Sequence, residues 1–108
     1  MRAFAVAILL AALGMPSAQV LAQEFNLVIR NHQFEPQELR VPAGKRVSIY
    51  VANEDATPEE FESKRLNREK VIPGRSQATI YIGPLKPGEY PFVGEFNEST
   101  ATGKIVVK

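Results

Sequence analysis

The sequence predicts an all-β fold, a sandwich of two β-sheets, for residues 23–108. Short segments with apolar residues at every second position are separated by turns rich in Pro and Gly. Many short strands between frequent turns favour two packed sheets. A small closed barrel fits the same pattern and is the alternative at this stage.

Three strands are predicted in the first half of this domain. Residues 25–30 place apolar side chains on one face of an extended segment. Residues 38–41 form a brief second strand, which ends at a Pro-Ala-Gly turn. Residues 46–52 are rich in β-branched and aromatic residues and again alternate, so they predict a half-buried strand.

The alternation is interrupted between residues 53 and 75. A turn cluster at residues 53–58 precedes a short predicted strand at residues 59–63, which is centred on Phe61. The charged residues 64–68 are compatible with a single helical turn. This middle stretch therefore gives the weakest structural pattern in the domain.

The last part of the chain returns to alternating strands. Residues 78–82 form one strand, Tyr90 and Phe92 define the inner face of the next, and residues 105–107 close the domain. Pro91 lies inside the penultimate strand. Because Pro has no N–H for a strand ladder, it indicates an edge position or a bulge.

The N-terminus predicts export. An apolar run at residues 3–13 and a small-x-Ala pattern ending at Ala22 indicate a signal peptide over residues 1–22. Cleavage after Ala18 is an open alternative. A membrane anchor is less favoured because the run is shorter than the roughly 20 residues needed to cross a bilayer. We expect an exported domain with no membrane span after cleavage.

Composition excludes several classes of partner and bond. The chain has 13 basic and 12 acidic residues, a net charge of +1, so nothing indicates nucleic acid or an anionic membrane as a partner. It has no Cys, so the sheets must stabilise the fold without disulfides. No hydrolytic or nucleophilic motif is visible.

Carboxylates gather in the middle of the sequence. If residues 59–63 are extended, Glu60 and Glu62 project to one face and Phe61 to the other. Acids on one face repel each other, which a bound cation or a nearby Arg or Lys would relieve. A solvated acidic surface balanced by its basic neighbours is the plainer alternative. The acids near this strand and the last hairpin are Glu54, Asp55, Glu59, Glu60, Glu62, Glu69, Glu95 and Glu98.

His32 is the single imidazole of the chain. It follows a predicted strand in a turn, where a surface position is the commoner role, and it becomes a candidate metal ligand only if carboxylates approach it. Oxygen ligands with at most one nitrogen suit hard or borderline cations such as Fe³⁺, Mn²⁺ or Cu²⁺. They do not suit Cu⁺, which prefers sulfur.

The strand-and-turn framework resembles the cupredoxins over nearly all of residues 23–108. The residues that carry this likeness are Phe34-x-Pro36, Val41-Pro42-Ala43-Gly44, Asn53, Leu85-x-Pro87-Gly88-x-Tyr90 and Gly103-x-Ile105-Val106-Val107. The resemblance implies a cupredoxin-like Greek-key β-sandwich. Where the blue-copper pattern has its Cys, His and Met ligands, this chain has Gly94, Asn97 and Thr102. A type 1 blue-copper centre and blue-copper electron transfer are therefore excluded.

A narrower likeness lies in the middle of the chain. Glu60-Phe61-Glu62, Arg68-Glu69 and Pro73-Gly74-x-Ser76 resemble the cupredoxin-like domain of periplasmic proteins in bacterial iron-uptake systems. The resemblance implies a periplasmic protein that binds an iron or copper ion and works with another iron-uptake component or an inner-membrane iron permease.

The same resemblance implies that Glu60, Glu62 and Glu69 are metal ligands. Glu95, near the last hairpin tip, is an additional candidate from our own reading, and His32 is the nitrogen candidate. A ferroxidase-like activity is left open, since hard oxygen ligands favour Fe³⁺ over Fe²⁺. Two alternatives belong to other classes: a metal-free sandwich that recognises a partner protein, and, less favoured, a small enzyme acting on an organic substrate.

Overall fold

The computed structural model describes residues 23–108. The predicted signal peptide, residues 1–22, lies outside the described residues and stays a prediction. Within the described part of the chain, no helix has the length and apolar character needed to cross a bilayer. The strands are β1 (Gln23–Arg30), β2 (Gln33–Glu35), β3 (Glu38–Val41), β4 (Val47–Asn53), β5 (Glu59–Ser63), β6 (Arg68–Ile72), β7 (Ser76–Ile82), β8 (Gly88–Gly94) and β9 (Thr102–Val107), with a single 3-10 turn at Glu95–Asn97.

The strands form two separate mixed sheets. One sheet has the order β2-β1-β4-β7, and the other has the order β3-β9-β8-β5-β6. Strands β1 and β4 are parallel, as are β3 and β9, whereas the other neighbours are antiparallel. The predicted all-β sandwich is therefore confirmed, and the closed barrel is not formed.

Three phenylalanines meet between the two sheets. Phe34 on β2, Phe61 on β5 and Phe92 on β8 are each at most 1% exposed. The Phe34 and Phe92 ring centroids are 4.9 Å apart in an edge-to-face contact, and Phe61 stacks on Phe92 at 4.9 Å. Burial of each ring contributes about 2 kcal/mol. This cluster fixes β5, which carries Glu60 and Glu62, against β8, which leads into the turn that carries Glu95.

The prediction of a helical turn at residues 64–68 is wrong. Residues 64–67 form a tight turn, and Arg68 already begins β6, which pairs with β5 from Ser63 onward. Asn67 adopts a left-handed φ of 57° and donates its N–H to the Lys64 carbonyl at 3.0 Å. Asn tolerates this conformation better than most residues, so the chain reverses here instead of continuing as a helix.

Pro91 lies on a strand that has neighbours on both sides. Strand β8 is between β9 and β5, so the predicted edge strand is not formed. Its ladder with β5 includes only the last two residues of β8, and Glu62 pairs with Val93. Pro91 lies beyond that ladder, where the Ser63 hydroxyl donates to its carbonyl at 2.7 Å. The missing N–H therefore removes no β5–β8 bond.

Candidate metal centre

The β5–β6 hairpin places acidic side chains on the outer face of its sheet. Along β5 the burial alternates, so Phe61 is fully buried while Glu60 and Glu62 are partly exposed, as the sequence predicted. On β6, Glu69 lies directly opposite Glu62 in the antiparallel register. Glu69 is thus a diagonal neighbour of Glu60, within reach of a long side chain.

Glu95 approaches the same place from β8. Gly94, the last residue of β8, pairs with Phe61, and Glu95 then begins the 3-10 turn. Carboxylate oxygens of Glu60, Glu69 and Glu95 all lie within 4.8 Å of one another. We call this group the carboxylate cluster. Among residues 23–108 it is the one group of three or more acidic or imidazole side chains with such convergence.

The electrostatics of the carboxylate cluster show that its acids are crowded. A hydrogen bond shared with Glu60 and the charge of that residue raise the pKa of Glu95, with smaller contributions from lost hydration, Glu69 and Glu98. Loss of hydration, followed by the charges of Glu95 and Glu69, raises the pKa of Glu62. Each shift means that the anion is less stable here than in a free Glu side chain, which a bound cation would relieve.

Among residues 23–108, the nearby basic residues form no ion pair with the carboxylate cluster, although the charge of Lys64 partly offsets the rise in the pKa of Glu62. The Arg68 guanidinium donates to the Tyr81 carbonyl at 2.9 Å, and the Arg65 guanidinium lies 4.5 Å from the centre of the Tyr90 ring. In the described part of the chain, the ion pairs within 4 Å include none of the acids Glu60, Glu62, Glu69 and Glu95. Within this described range the acids are not paired within 4 Å, and a solvated acidic surface balanced by its basic neighbours remains the alternative to a metal site.

His32 lies elsewhere. It forms the turn between β1 and β2 in the opposite sheet, and its backbone N–H donates to the Asp55 carboxylate at 2.9 Å. Its Nδ1 atom is 3.6 Å from the same carboxylate, and its carbonyl accepts the Thr100 hydroxyl at 2.6 Å. The structure brings together Glu60, Glu69 and Glu95, places Glu62 beside them, and does not bring His32 into the group.

Glu59 is the residue whose role the sequence reasoning missed. Its side chain points inward on β5 with Phe61 and is only 1% exposed. One oxygen accepts the backbone N–H groups of Glu60 and Phe96, and the other accepts the Asn97 amide at 2.6 Å. Strand parity could have shown it, because Glu59 and Phe61 necessarily share a face once residues 59–63 are extended.

Glu59 also occupies the region where the resemblance puts blue-copper ligands. A Cβ atom added at Gly94 would lie 2.7 Å from the Glu59 carboxyl carbon, and Asn97 is bonded to that same carboxylate. Thr102 is exposed at the start of β9. With no Cys in the chain and the Glu59 oxygens already hydrogen-bonded, these residues do not fit a type 1 copper centre.

The carboxylate cluster is suited to hard or borderline cations. Three carboxylate oxygens at this separation can each reach one ion, leaving further positions for water. A bound cation would also remove the repulsion that raises the Glu95 pKa. The carboxylate cluster offers no thiolate and no imidazole, so it does not suit the soft cation Cu⁺.

Comparison with known sequences identifies the fold independently. A family model described as "Cupredoxin-like domain" matches residues 3–107. An uncharacterized protein of Rickettsia prowazekii (strain Madrid E) is 39% identical over 84 residues, which cover 78% of this chain and 67% of the relative.

Solved structures with similar folds include copper proteins. Auracyanin A, a blue copper protein from Chloroflexus aurantiacus, has a TM-score of 0.70 at 15% identity, covering 82% of this chain and 100% of its own. The metal-binding domain of a Cu(I)-exporting P-type ATPase from Streptococcus pneumoniae D39, solved with Cu(I), has a TM-score of 0.69 at 15% identity. The match covers 84% of this chain and 92% of that domain. Amicyanin from Paracoccus versutus has a TM-score of 0.63 at 17% identity, and the match covers 85% of this chain and 88% of amicyanin. At these identities the likeness shows the fold alone.

Proposed function

This chain belongs to the cupredoxin-like domain family, and from that premise we propose that it is a periplasmic protein that binds iron or copper ions through carboxylates and serves iron uptake. The observation that carries the proposal is the convergence of Glu60, Glu69 and Glu95 within 4.8 Å. Glu62, which lies opposite Glu69 in the β5–β6 register, adds negative charge.

Without a metal ion the carboxylate cluster is electrostatically unfavourable. Acids at this separation repel each other, and no Arg or Lys of the described residues forms an ion pair with them. A cation in the middle turns that repulsion into attraction, because each carboxylate then contacts an opposite charge. Iron and Cu²⁺ both accept oxygen ligands, so Cu²⁺ is the second candidate after iron.

The assignment to iron uptake rests on the resemblance of the β5–β6 region to iron-uptake proteins. The residues that carry it, Glu60-Phe61-Glu62 and Glu69, are the ones that supply two members of the carboxylate cluster. An open cluster at a sheet surface suits a cation that is received and passed on, here to another iron-uptake component or an inner-membrane permease. Because hard oxygens stabilise Fe³⁺, bound Fe²⁺ would also lose one electron more readily to an external oxidant such as dioxygen.

The proposal is tested by titrating the purified protein with Mn²⁺, Cu²⁺ and, without oxygen, Fe²⁺. We expect at least one of these cations to bind and to raise the unfolding temperature. A free cation concentration of 100 times Kd stabilises the folded protein by about 2.7 kcal/mol. The double variant Glu60→Gln/Glu95→Gln should lose most of the affinity because it removes two of the three convergent charges. Calorimetry measures Kd, and a thermal-shift assay measures stabilisation.

A matched control keeps the change in charge but moves it away from the cluster. Glu38→Gln/Glu89→Gln removes two acids from the same sheet, which pair with Arg40 and Lys104. This control should bind metal nearly as the wild type does. If none of the three cations binds the wild type, or if both double variants bind equally well, the carboxylate cluster is not a metal site.

A further inference from the structure

We propose that Glu59 is a positioning residue of the carboxylate cluster: its buried carboxylate joins β5 to the 3-10 turn and so sets the separation of Glu60 and Glu95. This inference rests on the proposed function, because it concerns how the same site is held. Glu59 does not itself contact the cation. It acts through the backbone of its neighbours.

The contacts of Glu59 connect the two chain segments that carry the ligands. Its Oε1 atom accepts the Glu60 N–H at 3.0 Å and the Phe96 N–H at 2.9 Å. Its Oε2 atom accepts the Asn97 side-chain amide at 2.6 Å. Glu60 belongs to β5, and Phe96 directly follows Glu95, so one carboxylate oxygen binds the backbone beside each ligand.

Burial makes this connection rigid. Hydrogen bonds to an ionised group are roughly twice as strong as neutral ones, and a poorly solvated surrounding strengthens them further. A buried carboxylate without donors would be costly, whereas here the two oxygens receive three N–H groups. Among the described residues no buried side-chain polar atom lacks a partner. Moving the turn away from β5 would break bonds to a buried charge.

Gly94 provides the space that Glu59 needs. A side chain at this position would place its Cβ atom 2.7 Å from both the Glu59 carboxyl carbon and the Ala101 Cβ. Real Cβ atoms do not approach so closely, so the Glu59 carboxylate and the Ala101 side chain would have to shift. The place that the resemblance gives to a copper-binding thiolate is thus used here to hold a structural anion next to the carboxylate cluster.

The test is a donor–acceptor exchange between Glu59 and Asn97. In Glu59→Gln the amide oxygen can keep both backbone N–H groups, but the bond to Asn97 loses its charge and forms only if the Asn97 amide rotates to present its oxygen to the new NH₂ group. In Asn97→Asp two carboxylates face each other. In Glu59→Gln/Asn97→Asp the hydrogen bond is restored with its direction reversed, and the net charge equals that of the wild type. Mn²⁺ binding is measured for all four proteins at a temperature at which each is folded.

We expect each single variant to weaken Mn²⁺ binding about tenfold or more, as when groups that orient metal ligands are changed. The double variant should recover most of the affinity. A role of net charge alone predicts instead that Asn97→Asp binds more tightly than the wild type. A purely structural role predicts lower unfolding temperatures with unchanged Kd for the folded proteins.

Unchanged affinity in Glu59→Gln, or losses that simply add in the double variant, would overturn the positioning role. If Glu59→Gln fails to fold, Asn97→Ala removes only the amide donor at a half-buried position and must still weaken binding. Failure of the wild type to bind any of the three cations rejects the proposed function, and the positioning role with it. Binding by the wild type that Glu59→Gln and Asn97→Ala leave unchanged rejects the positioning role alone.

Discussion

Asp55 and Glu95 are both acids at the end of a strand, and their surroundings shift their pKa values in opposite directions. Asp55 follows β4 and receives the backbone N–H groups of Asn31 and His32 at 2.8 and 2.9 Å. These donors, led by the one from His32, lower its pKa. Glu95 follows β8 and faces Glu60 instead, so its pKa is raised.

The difference shows that the partner decides what a carboxylate does in this fold. At Asp55 the N–H groups come from two residues with left-handed backbone, φ 55° and 56°, so the anion stabilises a strained turn. At Glu95 the neighbours are themselves acids, so the Glu95 anion is repelled unless it binds a proton or a cation. In one region an acid holds the fold together, and in the other acids face one another.

The largest expected effect is at the Asp55 turn. Asp55→Ala removes an acceptor for two backbone N–H groups, and we expect a loss of about 2 kcal/mol in the free energy of unfolding at pH 7. Urea unfolding monitored by circular dichroism measures it. Glu54→Gln, which changes only an exposed contact with Arg30, is the control and should cost under about 1 kcal/mol. Equal effects of the two variants would contradict the anchoring role of Asp55.

The Asp55 effect must also depend on pH. Its folded-state pKa is lowered, so its stabilisation is fully present above the ordinary value of 3.8 and is lost as pH falls below it. Wild type and Asp55→Ala should therefore converge in stability in acid, apart from the lost contacts of the protonated side chain. A difference that stays constant from pH 7 down to acid would show that charge is not involved.

The second effect concerns metal binding at the carboxylate cluster. Protons and a cation compete for the same oxygens, so Mn²⁺ affinity should fall as pH is lowered through the raised pKa of Glu95. The slope is at most about tenfold per pH unit for each proton displaced. Calorimetry at several pH values measures it, together with protons released on binding. If the Mn²⁺ affinity stays the same as pH is lowered through the pKa of Glu95, Glu95 is not a ligand.

The sequence predicted the scaffold better than the site. Alternation sufficed for β4 and β7, because their buried faces carry period-two apolar residues. It could not show β2, which has three residues, or the turn at Asn67, where a left-handed backbone replaces the expected helical turn. Such features depend on hydrogen bonds to other segments, which leave no local period.

The candidate site was predictable in part for the same reason. The common face of Glu60 and Glu62 follows from strand parity, and the structure places Glu60, not Glu62, in the three-membered group. That choice depends on where the 3-10 turn brings Glu95, a tertiary fact with no sequence signal. Parity could also have placed Glu59 inside the protein, but its use as an anchor depends on donors from residues 96 and 97.

The smallest expected effect is at Glu95 in the metal-free protein. Its folded-state pKa is raised, so below the ordinary value of 4.5 the side chain is protonated in both folded and unfolded chains and Glu95→Gln should change little. As pH rises through the folded-state pKa, the wild type acquires a repelled anion and the variant does not. Glu95→Gln should therefore be slightly more stable than the wild type at pH 7 and lose that advantage in acid.

Saturating Mn²⁺ should reverse the order at pH 7, because it stabilises only the protein that keeps all three carboxylates. Thermal unfolding at pH 4 and 7, with and without Mn²⁺, measures both changes, and a wild type that is the more stable at pH 7 without metal would contradict the repulsion inferred from the geometry.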